Sequence, residues 1–92
     1  MSTVKKWSVD VYIWEDDAGR TSAEARLVAE HRALAVIGRG TARVNPHDPE
    51  IPEIGDEVAV GRALADLGRN LMSTAEADIQ AVGAGTADLG TG

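Results

Sequence analysis

Arg39, Thr41 and Arg43 stand two residues apart in the stretch LAVIGRGTARV, residues 34–44. Residues at that spacing share one face of a β-strand, so a strand here would present two guanidinium groups beside a hydroxyl. Guanidinium forks donate in pairs to phosphate oxygens. Arg26 joins that face if its strand pairs in matching parity, and Lys6 opens the first apolar stretch of the chain. Tyr12 and Trp14 are also two apart, and rings on a basic sheet face stack on nucleic-acid bases. Lys6, Arg26, Arg39 and Arg43 are therefore the candidate contacts to RNA.

The same face has two other readings. Tyr12, Trp14, Val28 and Ile37 form an apolar set of the kind a protein interface buries, and arginine and aromatic residues are enriched in interfaces too. A plain solvated face is the third reading, since Asp10 and Glu24 offset part of its charge.

Other chemistry finds little support. The glycines of GRG, Gly38 to Gly40, lack the third glycine of a dinucleotide loop, and no helix opens after them. Gly83–Gly90, GAGTADLG, follows no strand. His31 falls in a turn and His47 in a proline-rich loop, 16 residues apart; with Asp48 or Glu50 they fall short of a definite ligand set. Asp16 with Asp17, and Asp56 with Glu57, are explained by a turn and a helix N-terminus. There is no cysteine and no G-x-S-x-G elbow. No catalytic, cofactor-binding or metal-ligating residue is assigned, and the expectation is a non-enzymatic protein without a small-molecule substrate.

The positions that carry these side chains follow from periodicity. Residues 5–14, KKWSVDVYIW, alternate apolar and polar with β-branched and aromatic residues, which predicts a strand. Asp17 and Gly19 supply hairpin chemistry. Residues 20–30 alternate again, with Ala23, Ala25 and Leu27 on one face and Ser22, Glu24 and Arg26 on the other. Residues 34–44 form the third strand. Its inward parity carries Gly38 and Gly40, positions where a backbone packs closely; the protein's own helix is the expected neighbour. Pro46, Pro49 and Pro52 end the ladder. Val60, Leu64, Leu67 and Leu71 then recur at four, three and four, which predicts a helix over 54–72. This helix is expected to pack Ile54, Val60, Leu64, Leu67 and Leu71 against Val9, Val11, Ile13, Leu27 and Val36. Arg62, Asp66 and Arg69 fall on its solvent side. Ser73 with Glu76 three residues on matches a capping box and predicts a second, short helix over 73–83.

The expected fold is α+β, a two-layer β-β-β-α arrangement with a three-stranded antiparallel sheet and both helices on one face. Residues 1–83 make one domain and 84–92 a Gly/Thr-rich tail. At 92 residues with no phenylalanine, such a domain has a thin core, and pairing with a second copy is a common remedy. A homodimer is therefore expected. No apolar run reaches the roughly 20 residues a membrane helix needs, and no signal-peptide pattern is visible, so no membrane partner and a cytoplasmic location are expected. Net charge is −6. Residues 1–43 hold seven basic side chains against six acids, whereas 44–92 hold two against nine. Such asymmetry lets an acidic protein keep a positive face.

The motifs A-R-x-N-P at Ala42 to Pro46, P-E-I-G-D-E at Pro52 to Glu57, R-A-L-x-D-L at Arg62 to Leu67 and D-I-x-A-V at Asp78 to Val82 resemble a small actinobacterial family of unknown function. The aromatic first strand at Trp7 and the second strand at Ala23 to Leu27 fit as well, so the resemblance covers about residues 5–82. It implies a fold similar to the double-stranded-RNA-binding domain, in a protein that dimerises. Members of this family include proteins induced in hypoxia and dormancy that have been likened to ribosome hibernation factors. The resemblance thus implies a stress or dormancy protein with the ribosome or RNA as partner, and no catalytic residues. The chain departs from that pattern in being acidic, whereas ribosome-binding hibernation factors are rich in lysine and arginine.

Overall fold

The computed structural model describes residues 2–30, 35–43 and 52–85. Three strands precede one helix: β1 (Trp7–Glu15), β2 (Arg20–Ala29), β3 (Ile37–Arg43) and α1 (Pro52–Gly85). The sheet is antiparallel throughout, in the order β1-β2-β3. This is the α+β arrangement that the alternation of the sequence implies.

The hairpin between β1 and β2 fixes the register. Asp16 Oδ1 accepts the N–H of Ala18 and of Arg20, each at 2.9 Å, and Gly19 turns the chain with φ of 80°. The Arg20 N–H, chief among several favourable contacts, holds the Asp16 carboxyl below its ordinary range. Val9, Val11 and Ile13 then face Leu27, Ala25 and Ala23. Across the sheet, Ala23 faces Gly40 and Ala25 faces Gly38.

Helix α1 runs along β3 and β2 and barely reaches β1. The contact is backbone-close because β3 offers glycines where α1 offers alanines. A Cβ at Gly38 would fall 2.6 Å from the Leu67 Cα, and one at Gly40 would fall 2.5 Å from the Ala59 oxygen. Ala23, Ala25, Leu27, Val36, Ala42, Ala59, Ala63 and Leu67 form the core, with Val60 and Leu71 packed at its margin.

Two expectations are corrected. The first is the separate trailing helix, since α1 is continuous through Ser73 and on to Gly85. A capping box needs its first residue outside helical geometry. Here Thr74 Oγ1 instead donates to the Asn70 carbonyl at 3.0 Å, a bond that keeps such residues within a helix. At 34 residues the helix is about 51 Å long, while the ten-residue β2 spans about 33 Å. The C-terminal turns therefore run past the sheet.

The second correction concerns the core. Val9, Val11 and Ile13 are on the helix side of the sheet but remain exposed, as do Ile54 and Leu64 on α1. One helix, about 10 Å wide, covers two strands spaced about 4.8 Å apart and leaves the third bare. The histidines, the proline-rich connection from 44 to 51 and the tail residues 86–92 lie outside the described residues. Among the described residues, no helix is long and apolar enough to cross a membrane.

Candidate functional site

The sheet face turned away from α1 is built in rows by the register. Asp10, Arg26 and Ile37 form one row; Tyr12, Glu24 and Arg39 the next; Trp14, Ser22 and Thr41 the third; Arg20 and Arg43 close the hairpin end. Arg26, Arg39 and Arg43 thus share one face with Tyr12 and Trp14. Lys6 does not join them. It precedes Trp7 at the far end of the sheet, about 30 Å along the strand direction from Arg43.

Glu24 organises the centre. Its side chain is only 9% exposed, and each carboxylate oxygen takes one arginine. Arg26 donates through Nε to Oε2 at 2.7 Å, with Nη2 at 2.5 Å. Arg39 donates through Nε to Oε1 at 3.2 Å, with Nη2 at 3.1 Å. The Arg26 hydrogen bond, then both guanidinium charges, hold the Glu24 carboxyl below its ordinary range. The same bond raises Arg26. Arg26 also lies over the Tyr12 ring, 4.6 Å from its centroid, a cation–π contact. Tyr12 in turn stacks with Trp14, centroids 6.5 Å apart at an interplanar angle of 24°. Tyr12 and Trp14 are both about half exposed. The result is a continuous chain of planar groups: Trp14, Tyr12, Arg26, then Glu24 and Arg39.

Electrostatics separate by layer. The outer sheet face carries four arginines, Arg20, Arg26, Arg39 and Arg43, against Asp10 and Glu24. Helix α1 carries Glu53, Asp56, Glu57, Asp66, Glu76 and Asp78 against Arg62 and Arg69. Among the described residues, the acidic surplus therefore sits on α1, the layer opposite the arginines. Sequence reasoning omits Arg20 from the basic set. The hairpin register places it directly opposite Arg43, and Asp16 lies near enough to both to feel their charge.

The apolar set Tyr12, Trp14, Val28 and Ile37 does not form one patch. Tyr12 and Trp14 lie on β1, Val28 of β2 pairs with Ser8, and Ile37 of β3 shares its row with Arg26, so the arginines are interleaved with all four.

A second group was not foreseen. The free edge of β3 is closed by α1 side chains. Asp66 Oδ2 accepts the Arg39 N–H at 2.8 Å, Asn70 Nδ2 donates to the Ile37 carbonyl at 2.7 Å, and Arg62 Nη1 donates to the Thr41 carbonyl at 2.7 Å. Edge strands invite foreign strands unless their polar groups are met, and β3 is guarded in this way. β1 forms the other edge, with no described strand beyond it. The signal for the guard is the spacing of residues 62, 66 and 70 on one helix flank. Asp66 also accepts from Arg69, three residues on, at 3.5 Å. Among the described residues no cluster of three or more histidine, aspartate or glutamate side chains could hold a metal ion.

Comparison with known proteins places this arrangement. The chain is 46% identical over 79 residues to the uncharacterised Mycobacterium bovis protein Mb1767, covering 86% of this chain and 81% of that one. It is 43% identical over 77 residues to the uncharacterised Mycobacterium tuberculosis protein Rv2632c, covering 84% and 80%. The crystal structure of Rv2632c superposes with a TM-score of 0.76 at 40% identity, over 88% of this chain and 93% of that one. The family model matching residues 5–88 is described as Rv2632c-like, and the chain belongs to that family.

Proposed function

We propose that the protein is a non-catalytic RNA-binding protein, with the ribosome as the expected form of that RNA and stress or dormancy as the setting the sequence resemblance implies. The carrying observation is the outer sheet face, where the exposed Tyr12–Trp14 pair lies beside rows that hold Arg20, Arg39 and Arg43. Exposed rings offer stacking surfaces to unpaired bases, and neighbouring arginines meet the phosphates. Glu24 serves as a strut, holding Arg26 and Arg39 at fixed angles rather than removing them from the face. Arg39 keeps 74% of its side chain exposed while paired. Lys6 stands apart and would touch only a ligand that runs the length of the sheet.

Co-sedimentation with ribosomes from the host, at low and at physiological salt, tests this. Pelleting that weakens steeply with salt and is lost in the Arg39→Glu/Arg43→Glu variant supports the reading. Pelleting untouched by that variant removes these residues from the site, and no pelleting at either salt overturns direct binding.

A second reading is favoured by β1. Trp7, Val9, Val11 and Ile13 are exposed on one face, and Tyr12 and Trp14 on the other, of a strand with an open edge. An extended segment of a protein partner could add to that edge. Such binding would be insensitive to salt and to ribonuclease, and lost when Val11 becomes lysine.

A further inference from the structure

The planar groups of the outer sheet face form a column with one open end. Arg26 pairs with Asp10, one row before Tyr12, and Trp14 stands one row after it. The Arg26 guanidinium lies over the Tyr12 ring, 4.6 Å from its centroid, and Trp14 stacks on Tyr12 with centroids 6.5 Å apart. Along the strand direction, Tyr12 therefore has a planar neighbour on each side. Trp14 has Tyr12 on one side, and its other side looks toward the hairpin end. It is also the more exposed ring, at 52% against 44%.

The row beyond Trp14 supplies charge. Arg20 and Arg43 face each other there, and both are exposed. Arg26 and Arg39 are tied to Glu24, whereas none of the ion pairs among the described residues uses Arg20 or Arg43. Asp16, the acid that feels both charges, has Oδ1 turned into the hairpin, where the N–H groups of Ala18 and Arg20 hold it. Ser22 and Thr41 complete the Trp14 row, and their short side chains do not rise to the height of the ring. The open ring side and the uncommitted guanidinium groups thus coincide at one end of the sheet.

Resting on the RNA-binding reading above, we infer that this end takes a single unpaired nucleotide. Its base stacks on the open side of Trp14 and extends the column by one plane, and its phosphate meets Arg20 and Arg43. Of the two rings, Trp14 takes the base, and Tyr12 is a positioning residue, held by Arg26 and holding Trp14 in turn. A side chain stacks on a base only where the face of that base is uncovered, and inside a duplex the next pair covers it. The ligand class is therefore RNA with an unpaired base, in a loop, a bulge or a single strand. A continuous duplex would be held by its phosphates alone. That distinguishes this face from double-stranded-RNA binders, which read the shape of the duplex across its minor groove.

Titration of the full chain with three RNAs tests the assignment: an oligouridine strand, a fully paired duplex, and the same duplex with one unpaired uridine. Trp14 is observed alone in a Trp7→Phe background. The strand and the bulged duplex should quench Trp14 fluorescence and bind at least about tenfold more tightly than the paired duplex. Trp14→Ala should abolish that preference with the circular dichroism spectrum unchanged, and Trp14→Phe should retain most of it. Tyr12→Leu should reduce the preference and Tyr12→Phe should keep it; full preference in Tyr12→Leu would remove Tyr12 from the positioning role. Equal binding of all three RNAs, binding without quenching, or a preference that survives Trp14→Ala would overturn the base site and leave phosphate binding by Arg39 and Arg43 standing. Failure of every RNA to bind at low salt would overturn the RNA-binding reading and this assignment with it.

Discussion

Gly38 of β3 and Leu67 of α1 meet backbone to backbone, so closely that a methyl group on Gly38 would sit 2.6 Å from the Leu67 Cα. At Gly38 and Gly40 the helix lies on β3 with no intervening side chain, which is how a core made largely of alanine can close.

Gly38→Ala should therefore be among the most damaging single-methyl changes in the chain. The atoms in its way are helix backbone, which cannot rotate aside, so α1 must lift along its length. Overpacking of this kind costs about 1–3 kcal/mol or more. Gly61→Ala adds the same methyl to open space and should stabilise the helix of a single chain by up to about 1 kcal/mol. Urea unfolding of the two variants, at concentrations low enough to hold the chain monomeric, should move the midpoint in opposite directions.

Much of this was legible in the residues. Alternation at Ala23, Ala25 and Leu27 fixed which face of β2 is buried, and the parity of Gly38 and Gly40 foretold that a helix would rest on them. The outer placement of Arg26, Arg39 and Arg43 beside Tyr12 and Trp14 followed from the same parity. Coverage was not legible. Val9 and Val11 have the pattern of buried residues, but whether a helix reaches them depends on its line across the sheet, which no local pattern encodes. The false helix break at Ser73 has a local cause. Serine and threonine bond the backbone both at helix starts and within helices, and the spacing to Glu76 suits either. Asp66 reads as a solvated residue because a strand edge met from another element leaves no mark on the helix sequence beyond the shared flank of residues 62, 66 and 70.

The guard on β3 makes its own prediction. Asp66 takes the Arg39 N–H at 2.8 Å, so Asp66→Ala should speed hydrogen exchange at the Arg39 amide and leave the amides of β2 little changed. Asn70→Ala removes the donor to the Ile37 carbonyl and should cost about 0.5–1.5 kcal/mol. The two together should also promote association through the exposed edge, visible as concentration-dependent light scattering. An Arg39 amide that exchanges no faster in Asp66→Ala would show that the contact does not persist in solution.

Acid should weaken the protein through Glu24 and Asp16. Both carboxyls are held below their ordinary values, Glu24 first by Arg26 and Asp16 first by the Arg20 N–H. A carboxyl with a depressed folded pKa adds stability that is present above its unfolded value, about 4, and lost as pH falls through the folded one. The urea midpoint should thus be insensitive to these groups near neutrality and decline below about pH 4. Glu24→Gln should lower the midpoint at pH 7 and flatten part of that decline. A variant with an unchanged acid profile would remove Glu24 from the linkage.

The bare strand offers the last test. Val11 and Leu67 are both apolar residues on the inner side of the fold, but Leu67 is 5% exposed and Val11 is 37% exposed. Truncating a buried leucine costs about 2–5 kcal/mol, whereas truncating a residue that keeps much of its water costs under about 1 kcal/mol. In dilute protein, Leu67→Ala should therefore be several times as damaging as Val11→Ala. If the two costs converge as concentration rises, a second copy is covering β1. The concentration at which they converge would measure the affinity of that contact. Equal costs even at high dilution would mean that the inner face of β1 is dry within one chain, and that α1 sits more centrally over the sheet than its contacts with β3 imply.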